Sequence, residues 1–193
     1  MIVYKNQKWA TNSLYPNSKY DETADYWVED DSEIATFIVN SNGYFKVTSC
    51  SENGKILSVG EDFPIEIMVK NKCNEINNMC NNAIKSGIDH NGEHYDLTDE
   101  DQINMLAWSS IAQSGSSVPY HSSGNPCRTY SSEEFLGLVQ AATQFKTYHL
   151  TYCNLLKQQI ANMTDIEEIK SVTYGVTQLN ETYQAIMAQV LGG

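Results

Sequence analysis

Asp89, His90, Glu93, His94 and Asp96 form the densest cluster of metal-binding side chain types in the chain. Two imidazoles with carboxylates suit zinc or manganese. Their order matches no closed ligand motif, and alternation along two short strands would put His90 and His94 on either side of a turn. Exposed polar residues at a hairpin tip account for the same residues equally well. His121 and Cys127 share one loop, but a nucleophile needs a base within hydrogen-bond reach and a third group to orient that base. Neighbourhood in sequence supplies neither. The chain holds no GxSxG elbow, no HExxH helix and no GxxxxGK[ST] phosphate loop, so acyl transfer, zinc hydrolysis and nucleotide hydrolysis lack their usual scaffolds. The expectation is a protein with no catalytic residue, no cofactor and no metal site, unless Asp89, His90 and His94 converge on an ion.

The five cysteines, Cys50, Cys73, Cys80, Cys127 and Cys153, are odd in number and form no CxxC pair, which fits reduced and mostly buried thiols. With 24 acidic against 12 basic residues, the chain has a formal charge of −12. Such a surface repels a nucleic-acid backbone and favours solubility. No run approaches the roughly 18 apolar residues of a membrane span, and MIVYKNQKWATN lacks the apolar centre of a secretion signal. Neither nucleic acid nor membrane is expected as a partner, and synthesis is expected in the cytoplasm. Hydrophobic residues make up 41% of the chain, enough to bury a core. Twelve tyrosines, among them Tyr4, Tyr15, Tyr20, Tyr26 and Tyr44, offer the amphipathic area that protein interfaces use. Filling a core short of large aliphatics is the alternative role for them.

The elements that must position these residues change in texture near Pro64. Before it, MIVYK and DYWVED read as strands, with SLYPNSKYD as a loop between them. Ser32 caps a short helix, EIATFIVN, and GYFKVTSCSENGKILSV reads as a hairpin turning at Asn53-Gly54 in type I′ geometry. After Pro64 the patterns are helical. Val69, Cys73, Ile76, Cys80, Ala83 and Ile84 fall on one face of a first long helix that stops at Gly87. A tight hairpin follows at Asn91-Gly92, then a helix capped by Thr98 whose core face is Ile103, Leu106, Ala107 and Ile111. GSSVPYHSSGNPCRTY reads as an irregular loop. Ser131 and Glu134 form a capping-box pattern opening a helix of about thirty residues, with Phe135, Leu138, Val139, Ala142, Phe145, His149, Tyr152, Cys153, Leu156 and Ile160 along one stripe.

Thr164 and Glu167 repeat that device, and the short joint favours an antiparallel helical hairpin with a last helix. There Ile169, Val172, Val176, Leu179, Tyr183, Ile186 and Val190 recur at alternating three- and four-residue steps, the spacing of a coiled-coil seam. This seam is the candidate interface, either against the preceding helix or against copies of the same chain. Gly175 inside it weakens a helix by about 1 kcal/mol relative to Ala. The expected architecture is α+β: a small β-rich N-terminal docking domain over residues 1–62, then a helical domain over 65–193 with an inserted β-hairpin and a long C-terminal helical hairpin.

From Asn71 to about Val172 the order of signals resembles an uncharacterised domain family of tail-region proteins in phages and prophages. Those signals are a first helix, a short β segment, the helix start LTDEDQ, the loop VPYHSSGNPCRTYSSEEF, a long helix and a closing cap from Thr164 to Ile169. Tyr120 stands where the family loop usually carries Trp. The N-terminal WVEDDSEIATFIV and NGKILSV look like the small leading domain of tail and fibre-associated proteins. More loosely, the whole is similar to caudoviral tail-fibre assembly chaperones.

The resemblance implies a non-enzymatic component of a phage tail, baseplate or fibre apparatus. Its partners would be other tail or fibre proteins and copies of itself, and its location the virion after assembly in the host cytoplasm. An assembly chaperone absent from the mature particle is the second reading. A third is an acidic inhibitor of a host defence protein, against which the dispersal of the acidic residues along the chain counts.

Overall fold

The computed structural model describes residues 2–3, 9–10 and 25–192. The expected loop SLYPNSKYD and the tyrosines Tyr4, Tyr15 and Tyr20 lie outside the described residues. The protein is α+β, and the chain divides into two compact units, Met1–Ile67 and Met68–Gly193.

In the first unit, β1 (Ile2–Val3) lies between β2 (Trp9–Ala10) and β3 (Tyr26–Trp27), antiparallel to both. The helix α1 (Glu33–Asn40) starts where the Ser32 hydroxyl accepts the Ala35 amide proton at 3.1 Å, and β4 (Phe45–Cys50) and β5 (Ile56–Glu61) form an antiparallel hairpin. Val3, Val28, Ala35, Ile38, Phe45 and Ile56 make its core. The hairpin turn departs from the type I′ expectation, because Gly54 has a positive φ of 77° and Asn53 does not. Instead the Gly54 amide donates to the Ser51 carbonyl at 2.9 Å and the Ser51 amide to the Lys55 carbonyl at 2.9 Å. Docking of β3 explains the wider turn. The Trp27 amide donates to the Gly54 carbonyl at 3.0 Å, and its indole N–H donates to the Asn53 carbonyl at 3.1 Å.

In the second unit everything is built on α4 (Ser132–Ala161), whose Ser131 cap accepts from the Glu134 amide at 3.2 Å. Its stripe buries Phe135, Leu138, Cys153, Leu156 and Ile160 almost completely. The helix α2 (Ile65–Lys85) runs antiparallel to it: Cys73 Sγ reaches the Lys157 carbonyl, Cys153 Sγ the Ile76 carbonyl and Cys80 Sγ the His149 carbonyl. The helix α3 (Asp99–Gln113) is also antiparallel to α4, with the Ser132 hydroxyl donating to the Ala112 carbonyl at 2.7 Å and Lys146 bonded to Gln102.

Two hairpins cover the N-terminal end of α4. In the first, β6 (Ile88–His90) and β7 (Glu93–Tyr95) turn through Asn91 and Gly92 at φ of 52° and 83°, the paired positive angles of a type I′ turn. The second, β8 (Val118–Tyr120) with β9 (Arg128–Tyr130), lies in the stretch read from sequence as an irregular loop. Aromatic packing holds the inward residues of these strands: Tyr120 and Tyr130 meet Phe135 at ring distances of 5.2 and 6.4 Å. Arg128, the protein's sole arginine, ties both hairpins to α4. It donates to Glu93 at 3.0 Å and Glu134 at 2.7 Å, and lies 3.6 Å over the Tyr130 ring. Those bonds hold the Glu93 carboxyl below its ordinary range, with help from the Ser122 and Tyr95 hydroxyls.

The C-terminal segment corrects the expectation of one heptad-patterned helix. After α4 come α5 (Ile166–Ser171), an irregular stretch, and α6 (Glu181–Leu191). The cap of α5 is Asp165 rather than Thr164. The chain leaves helical geometry at Val172 (ψ 127°) and turns at Gly175, whose φ of 78° belongs to the left-handed region. Between Tyr174 and Tyr183 it runs alongside α4 in the same direction: Tyr174 meets His149, Thr177 meets Tyr152, Asn180 meets Gln159 and Tyr183 meets Asn162.

The end of α2 is fixed by one backbone constraint and one charge. Gly87 has φ of 85°, and a Cβ there would lie 2.1 Å from the Tyr95 carbonyl oxygen and 2.8 Å from Asp96 Cα. His94 lies between two acceptors, with Nδ1 2.8 Å from Asp89 Oδ1 and Nε2 2.9 Å from the Ser86 carbonyl; Asp96 is 3.5 Å away. A neutral imidazole has one N–H, so only the imidazolium satisfies both acceptors. The bond to Asp89 accordingly raises the His94 pKa above its ordinary 6.5.

Two outcomes follow. Gly87→Ala is expected to destabilise the protein by about 3 kcal/mol or more, whereas Gly92→Ala, strained in φ but with open space around it, costs about 1–2 kcal/mol, measured by chemical denaturation. Because the folded pKa of His94 is raised, its stabilisation is full below pH 6.5 and is lost as pH rises through the elevated folded value. The melting-temperature gap between the wild type and His94→Gln should therefore be widest near pH 6 and close in alkaline buffer.

Candidate functional site

The residues singled out for chemistry do not come together. His94 is engaged with Asp89 and Ser86, His90 contacts the Asn91 amide at 3.2 Å, and Glu93 serves Arg128. Among the described residues no group of three or more His, Cys, Asp or Glu side chains is arranged to hold a metal ion. His121 stacks on Tyr120 and directs Nδ1 at the Ser122 carbonyl, while Cys127 is exposed.

The seam residues also part company. Ile169, Val172 and Leu179 are buried in the second unit, Tyr183 is half-buried, and Val176, Ile186 and Val190 face solvent. A continuous helical stripe is therefore not the interface that the spacing describes, because the intervening turn sends successive members in different directions.

The surface that the structure does assemble is on α3. Its start is secured by a capping box in which Thr98 accepts the Asp101 amide proton at 3.2 Å and Asp101 accepts from the Thr98 amide at 3.1 Å. The Gln102 side chain bonds the Leu97 carbonyl at 2.8 Å, and Lys85 pairs with Asp99 at 2.7 Å. Held this way, α3 turns Met105, Ser109 and Ala112 into the core.

That reverses the expected orientation. Ile103, Leu106 and Ile111, read as the core face with Ala107, are 66%, 72% and 43% exposed, and Ala107 is exposed with them. Small residues explain the choice: Ser109 and Ala112 let α3 lie close to α4, and the Ser109 hydroxyl is satisfied by the Leu106 carbonyl at 2.7 Å. Both faces of α3 are apolar, so burying one leaves the other in water.

Beside this stripe, α3 and α4 leave a groove of about 370 Å³. Leu97, Met105, Leu106, Val139, Ala142 and Leu150 supply its apolar wall, and Gln102 with Lys146 a polar edge. Leu106 belongs to both groove and stripe, which makes them one continuous surface. Contiguous apolar exposure of this kind marks contact sites in soluble proteins. Its chemistry is burial of a complementary apolar surface, with the Lys146 ammonium available to an acceptor at the edge. Sequence reading found the α3 stripe and assigned it inward; it did not find Leu150. The available signal was that Leu150 lies off the principal stripe of α4, where a solvated residue belongs.

No curated protein matches the chain, and no solved structure does. A family defined only as a domain of unknown function, DUF4376, matches residues 68–175, more than half of the 193 residues and nearly all of the helical unit up to the turn at Gly175. The protein belongs to the DUF4376 family.

Proposed function

We propose that this protein is a non-enzymatic assembly component that binds a neighbouring protein through the outward stripe of α3 and the groove beside it. The observation that carries the proposal is the exposure of Ile103, Leu106 and Ile111 on a helix whose opposite face is already buried. Helix grooves accept amphipathic segments by seating side chains at three- and four-residue spacing, and a pocket of 370 Å³ has room for such an anchor. Where the assembly takes place is inferred from the sequence resemblance: the tail, baseplate or fibre apparatus of a phage. The solvent-facing Ile186 and Val190 leave a second surface for contact between copies.

Mass spectrometry of purified particles is expected to find the protein at stoichiometric copy number. Leu106→Asp should leave stability within about 0.5 kcal/mol, since Leu106 is 72% exposed, yet deplete the protein from particles about tenfold or more. Incorporation of Leu106→Asp at the wild-type level would refute the α3 interface. Absence of the wild-type protein from particles that depend on it would favour the chaperone reading.

The C-terminal segment gives a separate test. Leu179→Asp, at a position 5% exposed, should destabilise the fold by about 3 kcal/mol or more in thermal melts. Ile186→Asp, 39% exposed, should melt like the wild type while dispersing any oligomer seen by light scattering.

A further inference from the structure

A second concavity lies on a different side of α4 from the groove, where the turn after α5 folds back. It measures about 290 Å³ and is lined by Tyr148, His149, Tyr152 and Tyr174 with the backbone and side chains of Gly175 to Gln178. The aromatic rings are fixed by one another. Tyr148 and Tyr152 lie nearly parallel at 10° and 6.5 Å, Tyr174 meets Tyr152 edge-on at 5.2 Å, and His149 stacks within 23° of Tyr174 at 6.1 Å. Tyr152 is held by donating to the Thr177 carbonyl at 2.6 Å. Tyr148, 47% exposed, keeps its ring at the mouth.

The histidine is held through one ring nitrogen. His149 Nδ1 is 2.8 Å from the Tyr174 hydroxyl. The Tyr174 hydroxyl also donates to the His149 carbonyl at 3.4 Å, and burial pushes the His149 pKa down, so at neutral pH the ring is uncharged. An uncharged imidazole donates or accepts at Nε2 according to its tautomer. Among the described residues no buried side-chain nitrogen or oxygen lacks a partner, and Nε2 has no protein partner, so solvent reaches it. A ring bracketed by tyrosines thus presents one polar nitrogen, and Gln178 also lines the concavity.

No charged side chain lines this concavity, and the protein's charge of −12 disfavours phosphate and carboxylate ligands. The volume is near the lower end of ligand pockets, about 300–1,000 Å³, which limits the occupant to a single ring. A flat apolar face to lie on Tyr148, together with hydroxyls that can donate or accept at Nε2, describes a pyranose. We propose that this concavity binds a neutral monosaccharide unit, stacked on Tyr148 and hydrogen-bonded by His149 Nε2.

Saturation-transfer NMR on the full chain with glucose, galactose and N-acetylglucosamine at millimolar concentration tests this directly. Transfer to the ring protons of at least one sugar is expected, falling about tenfold in Tyr148→Ala, whose cooperative melt checks that it remains folded. Conversion of His149 to its imidazolium at low pH should weaken binding only modestly, since the imidazolium carries an N–H on Nε2. The proposal is overturned if none of the three sugars receives transfer, if transfer persists unchanged in Tyr148→Ala, or if choline receives it in their place.

Discussion

Close approach to one long helix is the constraint on which the helical unit depends. A helix of 30 residues such as α4 cannot hold its apolar stripe in water, and the elements that cover it succeed by presenting small groups where backbones meet. Between α2 and α4 those groups are thiols: Cys80 of α2 and Cys153 of α4 are 1% and 2% exposed, each directed at a carbonyl of the opposite helix. Burial pushes the Cys153 thiol up to about 11, which makes it packing material and keeps it from acting as a nucleophile at neutral pH. On α3 the small groups are Ser109 and Ala112.

The exposed surface follows from that arrangement. When the small side of α3 is chosen for contact, its branched side, Ile103, Leu106 and Ile111, is left outside. The C-terminal segment obeys the same logic on another side of α4. The helix ends at Val172 and the chain turns at Gly175, which lets Val172 and Leu179 reach the core separately while Tyr174 folds onto His149. One helix thus organises two concave surfaces, an apolar one beside α3 and an aromatic one beside the turn.

Much of this was legible from residues with local, short-range physics. Ser32, Thr98 and Ser131 each cap the helix their position announces, and Asn91-Gly92 makes the expected turn. Length was legible for α4 because nothing within it breaks the pattern. What spacing could not reveal was which of two apolar faces is inward on α3, since periodicity is blind to side chain size in the partner's groove. Three- and four-residue steps from Ile169 to Val190 likewise persisted through Gly175 although the helix did not, because core contacts made singly leave the same pattern of letters. The β8–β9 hairpin was hidden because its strands are three residues each, too short to show a period, and are held by rings and by Arg128. Of the candidate chemistry, the cluster from Asp89 to Asp96 is a structural clasp, and the groove residue Leu150 carried only a weak signal of misplacement.

The orientation and occupancy of α3 are tested most directly by thiol labelling with peptide-resolved mass spectrometry, on Met105→Cys and Leu106→Cys variants in the dilute free chain and in assembled particles. The account predicts that the thiol at 106 reacts rapidly in the free chain and is protected in the assembly, while the thiol at 105 is protected in both. Protection at 106 with reaction at 105 in the dilute chain, or equal reaction at 106 in both states, would contradict it.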